Sequence, residues 1–184
     1  MGEGATGCGE YPDILSSVRA RLPKLRQVVL LAETIRSGLQ TWSGFLELAG
    51  QTEETSLRQR MQMVDGSDIF TIQYTSGTTG LPKGAMTSHA AYVTNTDAIA
   101  DRQAWTQEDV VCLPSPFFHA LGCLMGLASV TAGGAIAMLE RFNAADLLKV
   151  MEGCRATAIA GTPTMFVAAL AELSNRDYDL SSLR

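Results

Sequence analysis

Between Asp109 and Glu140 the chain carries no Asp, Glu, Lys or Arg. That interval is longer than a bilayer span requires. Pro114 and Pro116 interrupt its start, however, and Gly133-Gly134 cut its later half. Apolar blocks broken by turn residues suit buried strands and a buried helix better than one continuous span. The interval therefore predicts a packed core and no transmembrane segment.

The rest of the chain follows the same alternation. Tyr11 to Leu22 has helical spacing, with Pro23 helping to end it, and Val28-Val29-Leu30-Leu31 reads as a short strand. Thr41 is placed to cap a helix reaching Ala49, and Gly50 to Gly66 reads as an irregular, partly helical connection. Ile69 to Gln73 reads as a buried strand, and Ala85-Met86-Thr87 continues extended before Ser88 caps a helix to about Arg102. Further strands are expected at Val110–Leu113, Ala135–Leu139 and Ala156–Ala160, each with the character of a strand buried on both faces. Helices are expected from about His119 to Thr131, from Ala144 to Glu152, and after Thr162-Pro163, with Thr162 as cap and proline at the first helical position. Strands separated by helices indicate an α/β fold, a largely parallel sheet with flanking helices.

Composition narrows the function. A net charge of -5 and a pI near 5.0 argue against a nucleic-acid surface, which needs a concentrated basic patch. Arg19, Arg21, Lys24 and Arg26 form the densest basic group and fit the solvated face of a helix and its following turn. Cys8, Cys112, Cys123 and Cys154 are widely spaced and only His89 and His119 accompany them, so a zinc site is not expected. Three of these cysteines lie in apolar surroundings, as small hydrophobes in a reducing compartment do. The N-terminus lacks the basic and apolar blocks of a signal peptide. Gly2 and Thr6 match the minimal myristoylation pattern, a short match read as chance.

One stretch names a chemistry. Tyr74-Thr75-Ser76-Gly77-Thr78-Thr79-Gly80-Leu81-Pro82-Lys83-Gly84 holds three glycines, three threonines, a serine and a lysine. Glycine lets backbone N–H groups approach phosphate oxygens; hydroxyls add donors, and Lys83 adds a mobile positive charge. The P-loop of NTPases places its lysine between glycine and Ser or Thr. Lys83 instead lies between Pro82 and Gly84, so that pattern fails.

The run closely resembles the signature of the adenylate-forming (AMP-binding) superfamily: acyl-CoA synthetases, luciferases and the adenylation domains of peptide synthetases. Leu113-Pro114-Ser115-Pro116-Phe117-Phe118-His119-Ala120-Leu121-Gly122 resembles a second family motif, in which an aromatic pair and a histidine precede a glycine. Gly161-Thr162-Pro163-Thr164-Met165-Phe166 resembles the segment whose helix borders the acyl pocket. Its apolar face, Met165, Phe166, Ala169 and Leu170, suits either a tunnel lining or packing on the sheet, with packing preferred for most of it. The resemblance implies that Thr75, Ser76, Gly77, Thr78, Thr79, Gly80, Leu81, Pro82 and Lys83 hold the β- and γ-phosphates of ATP. It implies that Thr75 also touches Mg²⁺ and that His119 is catalytic, lying near the acyl carboxylate and the α-phosphate. His89 lacks such a context and is read as structural.

The resemblance spans roughly Tyr11 to Arg184. The family's Tyr-Gly-x-Thr-Glu stretch, its ribose-binding aspartate and its C-terminal lysine are not found, and Asp179-Leu180-Ser181-Ser182-Leu183-Arg184 resembles the family just before its next core strand. The expectation is an internal piece of the large N-terminal domain, with 1–66 as a leading segment and 67–184 as the phosphate-loop and acyl-pocket region. The resemblance is strongest to fatty or medium-chain acyl-CoA synthetases: ligases that use ATP, Mg²⁺ and CoA to activate a carboxylic acid, with the isolated chain inactive. A truncated, non-catalytic nucleotide- or partner-binding product is the alternative, as is a piece of a carrier-protein-loading or luciferase-like enzyme. A cytoplasmic location is expected, with an organellar one left open because the family's first segment is not matched.

Overall fold

The computed structural model describes residues 10–31, 37–76 and 80–184, and the chain divides into two units, Met1–Met63 and Val64–Arg184. In the first unit, α1 (Glu10–Val18) runs into a 3₁₀ turn, Arg19–Arg21, so the helix tightens before Pro23 is reached. Strands β1 (Val29–Leu30) and β2 (Gln40–Thr41) pair in parallel, a pairing with no clear signal in so short a polar segment as Gln40-Thr41. Thr41 caps α2 (Trp42–Glu47) as expected: its hydroxyl accepts from Gly44 N at 3.2 Å. A 3₁₀ turn at Leu48–Gln51 and α3 (Glu54–Gln62) complete the unit.

The second unit opens with β3 (Ile69–Thr75) and β4 (Lys83–Ser88), which pair antiparallel. Phe70 is the extra residue of a bulge, since Ile69 faces Ser88 while Thr71 faces Thr87. The bulge carries its ring to α4 (His89–Gln103), where it lies 4.6 Å from the Tyr92 ring and 5.2 Å from His89. Ser88 ends β4 and caps α4, accepting from Ala91 N at 3.3 Å. Hairpin and helix are thus one continuous, locally specified piece.

The parallel sheet has the order β6-β5-β7, built from β5 (Val110–Leu113), β6 (Ala135–Met138) and β7 (Ala158–Ile159). Side chains alternate across a strand, so β5 serves two layers. Leu113 approaches α5 (Ala120–Thr131), while Cys112 joins Leu147, Leu148 and Met151 of α6 (Ala144–Gly153) and Ala169 of α7 (Pro163–Leu173) in the main core. Burial pushes the Cys112 thiol up to about 12, with Cys154 adding to the shift, so it packs as an inert hydrophobe. Pro163 occupies the first turn of α7 and Thr162 the N-cap position, both as expected, but the Thr162 hydroxyl bonds no N–H of the helix. It pairs with the hydroxyl of Thr164 at 3.0 Å instead.

Two burial expectations change. The strand at Ile69 is not buried: Ile69, Ile72 and Tyr74 are 54, 51 and 74% exposed, because the hairpin has only two strands and α4 covers little of it. Of the three parallel strands only β5 is enclosed, since β6 and β7 are edges and Met138 at the end of β6 is exposed.

At the amino end of β5, Asp109 is 3% exposed and gathers several donors. Arg184 reaches it with Nε at 2.9 Å and Nη2 at 2.7 Å, Thr157 Oγ1 donates at 2.6 Å and Thr106 N at 2.7 Å. The Arg184 bonds, above all, hold the Asp109 carboxyl well below the usual carboxylate range, against the opposing effect of burial. Among the described residues no helix is long and apolar enough to cross a membrane.

Candidate functional site

The glycine-rich run forms the connection of the β3–β4 hairpin. Thr75 is the last residue of β3 and Lys83 the first of β4, and they are direct cross-strand partners. Directly opposed residues project on the same face of an antiparallel ribbon, which brings the Thr75 hydroxyl and the Lys83 ammonium to one side of the loop mouth. Both are exposed, as are Ser76 and residues 80–82. Gly80 has φ +85°, a left-handed conformation that favours glycine. Gly77, Thr78 and Thr79, also assigned to phosphate, lie outside the described residues.

One glycine beyond the expected set matters to the hairpin. Gly84 faces Tyr74, and a Cβ there would lie 2.9 Å from Ile72 Cγ2 and 3.5 Å from the Tyr74 ring. The tyrosine ring therefore lies against the backbone of β4 at Gly84.

The second motif leaves the carboxyl end of β5. Pro114 and Ser115 are buried, and Ser115 Oγ contacts Met165 Sδ at 3.9 Å. A Cβ on Gly161 would be 3.4 Å from Pro114 Cγ, so the start of α7 backs this loop. Carboxyl ends of parallel strands are where α/β sheets bind ligands, and the loops after β5 and β7 meet there. His119, exposed, caps α5: its Nδ1 accepts from Leu121 N at 3.3 Å. While Nδ1 accepts this bond, the ring's N–H is the one on Nε2. The cap thereby fixes a donor on the free side of the imidazole.

The two motifs share a cleft of ≈ 420 Å³, walled by Ile72 and Tyr74 of β3 on one side and Phe117, Phe118 and Cys123 on the other. Tyr92, the partner of Cys123, is 6% exposed, and burial, reinforced by the hydrogen bond to Cys123, pushes its hydroxyl up to about 12. Thr75, Lys83 and His119 do not line this cleft; the chain approaches it through their neighbours. On α7, Ala169 belongs to the core and Met165 is half-buried, whereas Phe166 and Leu170 are 38 and 65% exposed. The preference for packing thus fails for those two side chains.

Among the described residues no three His, Cys, Asp or Glu side chains gather as metal ligands. The described hairpin, 69–76 and 80–88, contains no carboxylate, and Mg²⁺ is ordinarily held by one or two of them together with substrate phosphates. The Thr75 hydroxyl by itself does not make a magnesium site.

The chain matches the AMP-binding enzyme family over residues 13–184. It is 36% identical over 188 residues to YngI of Bacillus subtilis (strain 168), named as an acyl-CoA synthetase, covering 95% of this chain and 34% of that protein. It is 34% identical over 189 residues to the mitochondrial medium-chain acyl-CoA ligase ACSF2 of Bos taurus, covering 98 and 29% of the two. Among solved structures, an anthranilate CoA ligase, AuaEII, in complex with anthranoyl-AMP superposes with a TM-score of 0.75 at 26% identity, over 95% of this chain and 33% of that one. The chain spans about a third of the length of the curated relatives it matches.

Proposed function

Because the chain belongs to the AMP-binding enzyme family, we propose that it supplies the phosphate-holding hairpin and the histidine loop of an acyl-CoA synthetase. The observation that carries this reading is the register that sets Thr75 opposite Lys83 at the mouth of the glycine-rich connection. In the first step a carboxylate oxygen bonds to the α-phosphorus of ATP while the bond to pyrophosphate breaks. Negative charge grows on the departing pyrophosphate, where loop N–H groups, hydroxyls and Lys83 stabilise it. Nε2–H of His119 donates to an oxygen of the carboxylate or the α-phosphate, a role that suits its fixed tautomer. In the second step the sulfur of CoA bonds to the acyl carbon, AMP leaves with the electron pair of the broken acyl–oxygen bond, and the thiol proton goes to solvent. Thr75 offers one oxygen to a cation arriving with the phosphates, and no step depends on it.

The acyl group is read as a fatty or medium-length chain, in line with the likeness to the medium-chain ligase ACSF2. Residues 1–66 are the leading segment and 67–184 carry the phosphate loop and the acyl-side loops. The buried free thiols Cys112 and Cys123 suit a reducing compartment.

On this reading the 184 residues do not complete the reaction by themselves, since they span about a third of the length of the acyl-CoA synthetases and ligases they match. Carboxylate-dependent pyrophosphate release from ATP, measured with a panel of fatty and aromatic acids, is expected to stay at background. Robust turnover by the purified chain would overturn this division of roles.

A further inference from the structure

The face that α5 turns toward its own leading loop is notched by two glycines one helical turn apart. A Cβ on Gly122 would lie 2.3 Å from Pro116 O and 2.6 Å from Ser115 O. One on Gly126 would lie 2.4 Å from Phe117 Cζ and 3.1 Å from Leu113 Cδ1. Real side chains do not approach so closely, so the loop occupies the space that two β-carbons would fill. Both glycines are buried, and Phe117 is half-buried.

We propose that Gly122 and Gly126 are positioning residues for His119. The backbone of Ser115-Pro116 seats at Gly122 and the ring of Phe117 at Gly126. His119 N then donates to Pro116 O at 3.0 Å, which closes a turn and delivers the imidazole to the cap of α5. With the segment keyed at two points, Nδ1 stays on Leu121 N and Nε2–H stays outward. Phe117 also walls the cleft shared with β3, so the same key sets the cleft's width and the histidine's tautomer. The significance for catalysis rests on the reading of His119 given above; the keying itself does not.

The test uses the whole chain with ¹⁵N-labelled histidine and reads the two ring nitrogens of His119 by long-range proton–nitrogen correlation. In mildly alkaline buffer, where imidazole rings are neutral, the wild-type ring is expected to show one protonated and one unprotonated nitrogen. In Gly126→Ala the pair is expected to collapse toward the average of the two tautomers, while His89 keeps its wild-type signals. Gly126→Ala combined with Phe117→Leu removes the ring tip and is expected to restore the separated pair. Should Gly126→Ala not fold, Phe117→Ala takes the key out of an intact notch and is expected to give the same collapse. A separated pair retained in Gly126→Ala or in Phe117→Ala would overturn the proposal. No ligand enters this measurement, so its failure is distinguishable from failure of the adenylation reading, which nucleotide titration addresses separately.

Discussion

Replacing Asp109 with alanine is expected to destabilise the second unit by roughly 3 kcal/mol, near the lower end for breaking a buried ion pair, because Arg184 remains half in water. The carboxylate is 3% exposed and joins elements far apart in the chain: Thr106 before β5, Thr157 before β7, and Arg184. Its removal leaves the Thr106 N–H without that acceptor and releases Arg184, whose Nη2 also donates to Ala104 O at 2.8 Å. A drop in melting temperature of roughly 10 °C corresponds to such a loss. The pH dependence has a definite sign. The folded carboxyl titrates below its unfolded value of about 3.9, so its contribution is full above that pH and disappears as pH falls through and below it. Wild type and Asp109→Ala melts should therefore differ most near neutral pH and converge in acid. A mutant melting within a degree or so of wild type at neutral pH would show that the cluster holds little.

Lys83→Ala is expected to weaken ATP binding by about 10- to 150-fold, the equivalent of one charge-assisted contact at roughly 1.5–3 kcal/mol. The fold should not change, because Lys83 is exposed and its strand is held by backbone pairing with β3. Titration calorimetry on wild type and mutant, with matching melts, separates the two effects. Equal ATP affinities would remove Lys83 from the phosphate site. A lowered melting temperature with equal affinities would make it a structural residue of the hairpin.

What could be read in advance follows the range of the interactions involved. The caps at Thr41 and Ser88 depend on a side chain bonding an N–H three residues on, so their positions are visible locally. Thr162 has the same local signal, and there Thr164 competes for the hydroxyl. The α/β alternation was legible, but the order β6-β5-β7 was not, since hydropathy says nothing about which strand takes the centre. Ile69, Ile72 and Tyr74 look like core residues by type, yet burial depends on neighbours that local composition does not specify. Asp109 and Arg184 lie 75 residues apart, and no spacing rule connects them. The Gly122–Gly126 pair did carry a signal, two glycines four apart in an apolar helix, although what fills the notch appears only in three dimensions. Thr75 and Lys83 belong to a motif readable from residue types, whereas their cross-strand pairing needs the hairpin register.

The most direct measurement is ATP titration of the uniformly ¹⁵N-labelled chain, following backbone amide signals. The amides of Thr75, Ser76, Gly80, Leu81 and Lys83, which form the described part of the glycine-rich connection and its base, should move progressively and together. Lys83→Ala should shift the same titration to higher ATP concentration. If those amides stay fixed, while others respond or none does, the hairpin is not the polyphosphate site and the account fails.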